Sequence, residues 1–422
     1  MKIIRYNELE KDFFEYKEIE EIGSVQEIIS VVRHNGDQAI REYTSKFDDI
    51  ALGQFKVSTS EIKRAYDQLD KKQVNSLEFA AENIRRFAIK QKEQLIDFEY
   101  ELRLGVFAGQ RVIPIERIGV YTPGGRYPLP STVLMCCVPA QVAGVKEIVV
   151  CSPPTYNGSI HPAILVAADI CQVAEIYRIG GAQSIAAMAY GTESIKKVDK
   201  IVGPGNQYIT AAKKLVFGTV GIDFIAGPTE LLIIADEPAN PVFIAADLIG
   251  QAEHDIHASP ILITTSQNLV NRVIQEIEQQ LIHLKTADVA RLSLNNNGTI
   301  IIVDSIDVAF KIANKKAPEH LELQLNNPEK YLNHLWNYGS LFIGSYSAEA
   351  LGDYSSGLNH TLPTNSCARY TGGLSVKDFL KFQTTLRVTE QGLSSIGSQA
   401  MQLGEMEGLQ GHTRSVGIRM KK

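Results

Sequence analysis

The chain has 422 residues, 44% of them hydrophobic and 21% charged, with a net charge of −6. That length exceeds one compact core and predicts two domains. No apolar run approaches the ~18 residues of a membrane helix, and without a dense Lys/Arg cluster neither nucleic acid nor an anionic membrane is expected as partner. The N-terminus scatters charges where a signal peptide would place its apolar stretch, so a cytoplasmic protein is expected. Five cysteines, odd in number and without Cys-x-x-Cys spacing, suit reduced thiols; Cys136 and Cys137 sit in an apolar segment and read as packing residues.

Residues 1–24 are polar and mixed, with an aromatic patch at Phe13, Phe14 and Tyr16, and read as an arm outside the core. Helical spacing sets in with Val25, Ile28, Ile29 and Val32 and returns at Ala39, Ile40 and Tyr43; residues 58–96 continue as charged amphipathic helices. From about 112, β-branched runs alternate with helical segments, the pattern of a doubly wound parallel sheet. Strands are expected at 117–121, 147–151, 174–179 and 200–202, with helices after each. Three of the connecting loops are glycine-rich and lie where open α/β sheets bind ligands, after the carboxyl ends of strands. No Gly-x-Gly-x-x-Gly occurs, however, so on glycine turns alone plain loop geometry and phosphate binding both stand.

A similar unit begins near 229. Strands are expected at 230–235, 260–264 and 299–303, separated by helices. The helix starting near Asn240 is apolar and ends in Gln251 and His254, three residues apart and therefore on one face. A shared metal ion and a histidine favoured by the helix dipole are both open readings of that pair. Further on, Glu319 and His320 stand beside a strand start, Asp353 and His360 lie in a glycine-containing loop, and a polar tail from Val376 onward reads as helical and too polar to form its own core.

Six segments occur in one order: Val-Tyr-Thr-Pro-Gly-Gly at 120–125, Gly-Pro-Gly-Asn at 203–206, Ala-Gly-Pro-Thr-Glu at 226–230, Gln-Ala-Glu-His at 251–254, Ala-Pro-Glu-His-Leu-Glu at 317–322 and Gly-Asp-Tyr-Ser-Ser-Gly-Leu-Asn-His at 352–360. Together with Glu-Gly-Leu-Gln-Gly-His at 407–412 they resemble the histidinol dehydrogenase family from about residue 25 to the C-terminus. The resemblance implies two Rossmann-like doubly wound parallel-sheet domains with extended helical N- and C-terminal arms. It implies an arm at 1–24, a discontinuous substrate and zinc domain at 25–116 plus 229–375, an incomplete Rossmann-like NAD-binding domain at 117–228, and a helical tail at 376–422 contacting the partner subunit.

The activity so implied is a zinc-dependent, NAD-linked, four-electron oxidation of L-histidinol through the aldehyde to L-histidine, by a homodimer with intertwined tails. Carried over by position, Gln251, His254, Asp353 and His412 are the zinc ligands, with His412 donated by the partner subunit. His320 is the general base and Glu319 activates the water. The zinc ligands also contact substrate, as do Thr229, His320, His360 and Glu407; Tyr121, Gln183 and Asn206 touch NAD. Thr229 replaces a commoner serine and keeps the hydroxyl, while His257 falls outside the matched motif and is left as a surface or capping residue.

The implied chemistry is coherent. Two histidines, an aspartate and a glutamine are unusual for a structural zinc, which is more often thiolate-bound, and a histidine is suited to take the hydroxyl proton as hydride leaves. Because neighbours on a strand point to opposite faces, Glu319-His320 is expected at a bend or strand end. Two rivals are a zinc hydrolase using Glu319 as its base and a two-lobed solute-binding protein.

Overall fold

A computed structural model of the chain describes residues 1–15, 22–124, 127–155 and 157–421, and of Ile22 the backbone only. Tyr16 of the aromatic patch and Gly125 and Arg126 of the first glycine loop lie outside the described residues. Two parallel sheets organise the molecule. In the first, strands Glu175–Arg178, Glu147–Ser152, Arg117–Tyr121, Lys200–Val202 and Gly221–Ile222 lie side by side in that order. Their β-branched runs are buried on both faces because helices cover both, as a parallel sheet requires. Helices Pro130–Ala143 and Pro162–Ile170 belong to the core on one face, and Gly181–Tyr190 and Gln207–Val216 to the core on the other. All five cysteines are buried and free, and burial pushes the Cys136 thiol up to about 12, in keeping with a packing role.

The outer layer on this sheet comes from the N-terminal third. Helix Ile22–Asp48 packs on helices Gly181–Tyr190 and Gln207–Val216, and helices Thr59–Tyr66 and Lys71–Lys92 pack on Pro162–Ile170 and Pro130–Ala143. These helices, grouped by the sequence reading with residues 229–375, therefore bury their apolar faces against the first sheet. Periodicity reveals that a face is buried and is silent on its partner.

The second sheet runs Lys2–Arg5, Thr299–Ile302, Ser259–Thr264, Glu230–Ala235, His320–Gln324 and Ser340–Ile343, all parallel. Its edge corrects the reading of the first residues as an arm outside the core: Lys2–Arg5 pairs with Thr299–Ile302, and Ile4 is buried. Four residues are too few to display a period. Helices Pro241–Ala252, Gln267–Leu281 and Ala287–Asn296 cover one face and Ile306–Lys316 the other.

A third, antiparallel sheet was not anticipated. It joins Phe98–Arg103, Val106–Pro114 and Leu380–Val388, so the tail expected to be helical has one short 3-10 turn, Val376–Phe379, then a strand, and forms α-helices at Glu390–Met406 and Gln410–Met420. Phe98–Arg103 is exposed along its whole length and lacks the half-buried alternation that marks a strand in sequence.

Among the described residues, no helix is long and apolar enough to cross a membrane.

Candidate active site

The side chains singled out at 229, 251, 254, 319, 320 and 353 converge at the amino ends of strands Glu230–Ala235 and His320–Gln324 and the carboxyl end of helix Pro241–Ala252. This is the opposite edge from the one where open α/β sheets usually bind ligands. The strand begins at His320, so Glu319 and His320 escape strict alternation and serve one site.

The polar chain starts at Gln251, which is buried. Its Nε2 donates to Thr229 Oγ1 at 2.7 Å, and Thr229 Oγ1 donates to Glu319 Oε2 at 2.6 Å, where the Glu230 N–H also donates at 2.9 Å. Since a carboxylate only accepts, the threonine proton points to Glu319 and the threonine must accept from the amide. That leaves Gln251 Oε1 buried and without a hydrogen-bond partner. The threonine hydroxyl thus makes both bonds asked of it, in place of the commoner serine.

His320 is nearly inaccessible. Its Nδ1 lies 3.1 Å from the Glu230 carbonyl, an acceptor only, so that nitrogen carries the hydrogen and Nε2 is left as the basic nitrogen. Around the ring stand three carboxylates: Glu319 at 3.6 Å from Nδ1, Glu349 at 3.4 Å from Nε2 and Asp353 at 3.9 Å from Nε2. Burial alone would lower the imidazole, but Glu319, Glu349 and Asp353 outweigh it and carry it up to about 9. Burial pushes Glu319 up to about 7 against the opposing pull of His320, Thr229 and the Glu230 N–H. Asp353 is also raised, by burial first and Glu349 second.

Asp353 Oδ2 is 3.9 Å from His254 Nε2, and the His254 side chain is 40% exposed, so the cluster opens to solvent on that side. The unpartnered Gln251 oxygen, the Asp353 carboxylate and the His254 imidazole form an O/O/N donor set that fits a divalent ion. A second grouping, His320, Glu349 and Asp353, brings its ligand atoms within 4.8 Å of one another. Only Asp353 is common to both sets. Two positions of the site escaped the sequence reading: Glu349, which stands one helical turn before Asp353 on helix Glu349–Tyr354, and Glu230, which bonds to Lys316 Nζ at 2.8 Å and the Asn365 N–H at 2.8 Å. The i, i+4 spacing of Glu349 and Asp353 was the available signal.

Of the other expected residues, His360 stands close enough to Asp353, His320 and His254 for their charges to act on it, and the rest lie elsewhere. Glu407, in the turn after helix Glu390–Met406, and His412, on helix Gln410–Met420, are exposed; the two helices pack on each other, and neither residue belongs to the cluster. His257 is exposed, in keeping with a surface role. His360 Nε2 is 3.2 Å from Ser131 Oγ. At the carboxyl end of the first sheet, Tyr121 is the buried last residue of its strand, Gln183 is buried with neither amide atom partnered, and Asn206 Oδ1 caps the helix after it by accepting from Tyr208 and Ile209 N–H groups.

The histidinol dehydrogenase family model matches residues 12–420. The chain belongs to the histidinol dehydrogenase family. Its similarity to other members extends along nearly its whole length. Histidinol dehydrogenase of Clostridium acetobutylicum is 48% identical over 400 residues, covering 95% of this chain and 92% of the relative. That of Methanococcus maripaludis is 46% identical, with 99% of each covered. The crystal structure of histidinol dehydrogenase from Elizabethkingia anophelis superposes with a TM-score of 0.94 at 41% identity, covering 99% of this chain and 97% of that one.

Proposed function

We propose that this member of the histidinol dehydrogenase family oxidises L-histidinol to L-histidine in two successive NAD-linked steps, as a cytoplasmic homodimer with one zinc ion per active site. The observation that carries the reading is the buried Glu319-His320 pair at the amino end of its strand, tied through Thr229 to Gln251 and standing beside Asp353. Gln251, His254 and Asp353 would hold the zinc, with the partner subunit's His412 completing the set. When bound, the ion supplies a template for the imidazole and amine of histidinol, fixing the carbinol carbon for hydride transfer.

In its neutral form His320 takes the hydroxyl proton at Nε2 while its Nδ1–H stays on the Glu230 carbonyl, and the carboxylates that raise the ring to about 9 stabilise the imidazolium it becomes, so the first oxidation should quicken as pH rises toward 9. In the second step Glu319 takes a proton from the water that adds to the aldehyde; a carboxylate lifted to about 7 by burial is matched to that task near neutral pH. Thr229 and His360 contact the substrate, and Glu407 joins them from the tail that carries His412. Tyr121, Gln183 and Asn206, at the carboxyl ends of the first sheet's strands, contact NAD. The unpartnered Gln183 amide supports this part of the reading.

The test is stoichiometry. Zinc-loaded enzyme should form two NADH for each histidinol consumed, lose activity to a chelator and regain it with zinc. Hydrolysis of an ester or amide without NADH formation would favour the zinc-hydrolase reading instead.

A further inference from the structure

His360 reaches the site on a loop, residues 355–361, that leaves the second sheet's unit and is fastened to helices of the first. Asn83 Nδ2 donates to the Ser355 carbonyl at 2.8 Å, and Asn359 Nδ2 donates to the Met135 carbonyl at 2.6 Å. Cys136 Sγ lies 3.9 Å from Thr361 Oγ1. At Gly357, φ is +94° and a Cβ would come within 2.7 Å of the Asn83 carbonyl oxygen, so the loop follows a path that glycine alone permits.

Asn359 is used at both ends, since its Oδ1 accepts the Thr361 N–H at 2.9 Å. The backbone on either side of His360 is therefore fixed, and the remaining freedom is rotation of the ring. Ser131 Oγ, 3.2 Å from His360 Nε2, is a side chain placed to restrain it by a hydrogen bond. Ser131 stands in the first turn of helix Pro130–Ala143, which follows the strand ending at Tyr121.

We propose that Ser131 is a positioning residue for the substrate: its hydroxyl orients the His360 imidazole, so that a residue of the cofactor-side unit sets a substrate contact of the other unit. The inference rests on the reading of His360 as a substrate contact. It assigns Ser131 no contact with histidinol and no part in proton transfer.

A double-mutant cycle tests it, using zinc-loaded full-length enzyme and calorimetric Kd values for L-histidinol without NAD, with thermal melting to verify the fold. S131A should raise the Kd about 3- to 10-fold, the worth of one partly buried hydrogen bond, and H360A should raise it further. The S131A/H360A double variant should bind no more weakly than H360A alone, because Ser131 acts only through that ring. Additive losses would overturn the proposal, as would an unchanged Kd in S131A while H360A weakens binding. An unchanged Kd in H360A would overturn the substrate-contact reading of His360 itself, and the proposal with it.

Discussion

Glu319 owes its character to its hydrogen-bond donors and to burial: Thr229 and the Glu230 N–H hold one oxygen, and the absence of solvent lifts its titration to about 7. A glutamine at this position would keep the acceptor oxygen for both bonds and lose the base. E319Q should therefore complete the first oxidation and slow the second by at least about 100-fold, the usual worth of a positioned base; NADH per histidinol falls from two toward one and the aldehyde accumulates. Equal loss of both half-reactions would show that Glu319 acts elsewhere. Asp48 tests electrostatics away from this site. Its Oδ2 is buried without a partner, and burial raises its pKa from 3.8 to about 6. A carboxyl raised on folding contributes stability that is full below pH 3.8 and lost as pH rises through 6. D48N should thus melt higher than the parent above pH 6 and lose that advantage below pH 4, in thermal scans across that range. At this scale the sequence was most legible where site residues fall in contiguous motifs, as at 251–254 and 317–322. Glu349 was missed because its only signal is the i, i+4 spacing to Asp353, with no motif around it to say that the helix turn brings it to His320.

Elements whose two faces are both covered were legible as β-branched runs bounded by glycine, which is why four of the first sheet's five strands fall close to their expected positions. The strands missed include Lys2–Arg5, Gly221–Ile222 and Ser340–Ile343, all short edges, and the sheet at 98–114 and 380–388, whose outer strands are largely exposed. Burial patterning, the main signal in sequence, was weak or absent there. The loop after Lys200–Val202 shows what a glycine signal does encode. Gly203 has φ +115°, donates its N–H to Asp223 Oδ2 at 2.8 Å and accepts Lys213 Nζ at 3.0 Å, above the buried Lys213–Asp223 ion pair. A Cβ there would overlap the Tyr121 carbonyl oxygen, a backbone atom unable to swing aside. G203A should destabilise the protein by about 2–3 kcal/mol, read from the urea midpoint, and raise KM for NAD more than KM for histidinol, since the strain falls on Tyr121, a proposed NAD contact. An unchanged midpoint would mean that the loop relaxes freely.

The single chain leaves a large apolar surface uncovered at the scale of the whole molecule. Leu386 is 71% exposed, Leu403 59%, Met406 82% and Tyr100 66%, all on the antiparallel sheet and the tail helices that follow it. Large exposed apolar side chains gathered on these elements suit an interface, and the same tail carries Glu407 and His412, whose motif was legible in sequence and which stand apart from the cluster within one chain. If the tail crosses to a twofold partner, each active site is built from two chains, and defects on different chains can complement. We expect E319Q and H412N enzymes to make little histidine separately. Co-expressed in equal amounts, half of their dimers would be mixed. In each mixed dimer the H412N chain, with its intact Glu319, would receive His412 from the E319Q chain, giving one complete site of two and roughly a quarter of the parental rate of histidine formation. Sedimentation would establish that the mixed species is a dimer. If His412 instead serves its own chain, every site in the mixture carries one of the two lesions, and histidine formation stays at the level of the separate variants.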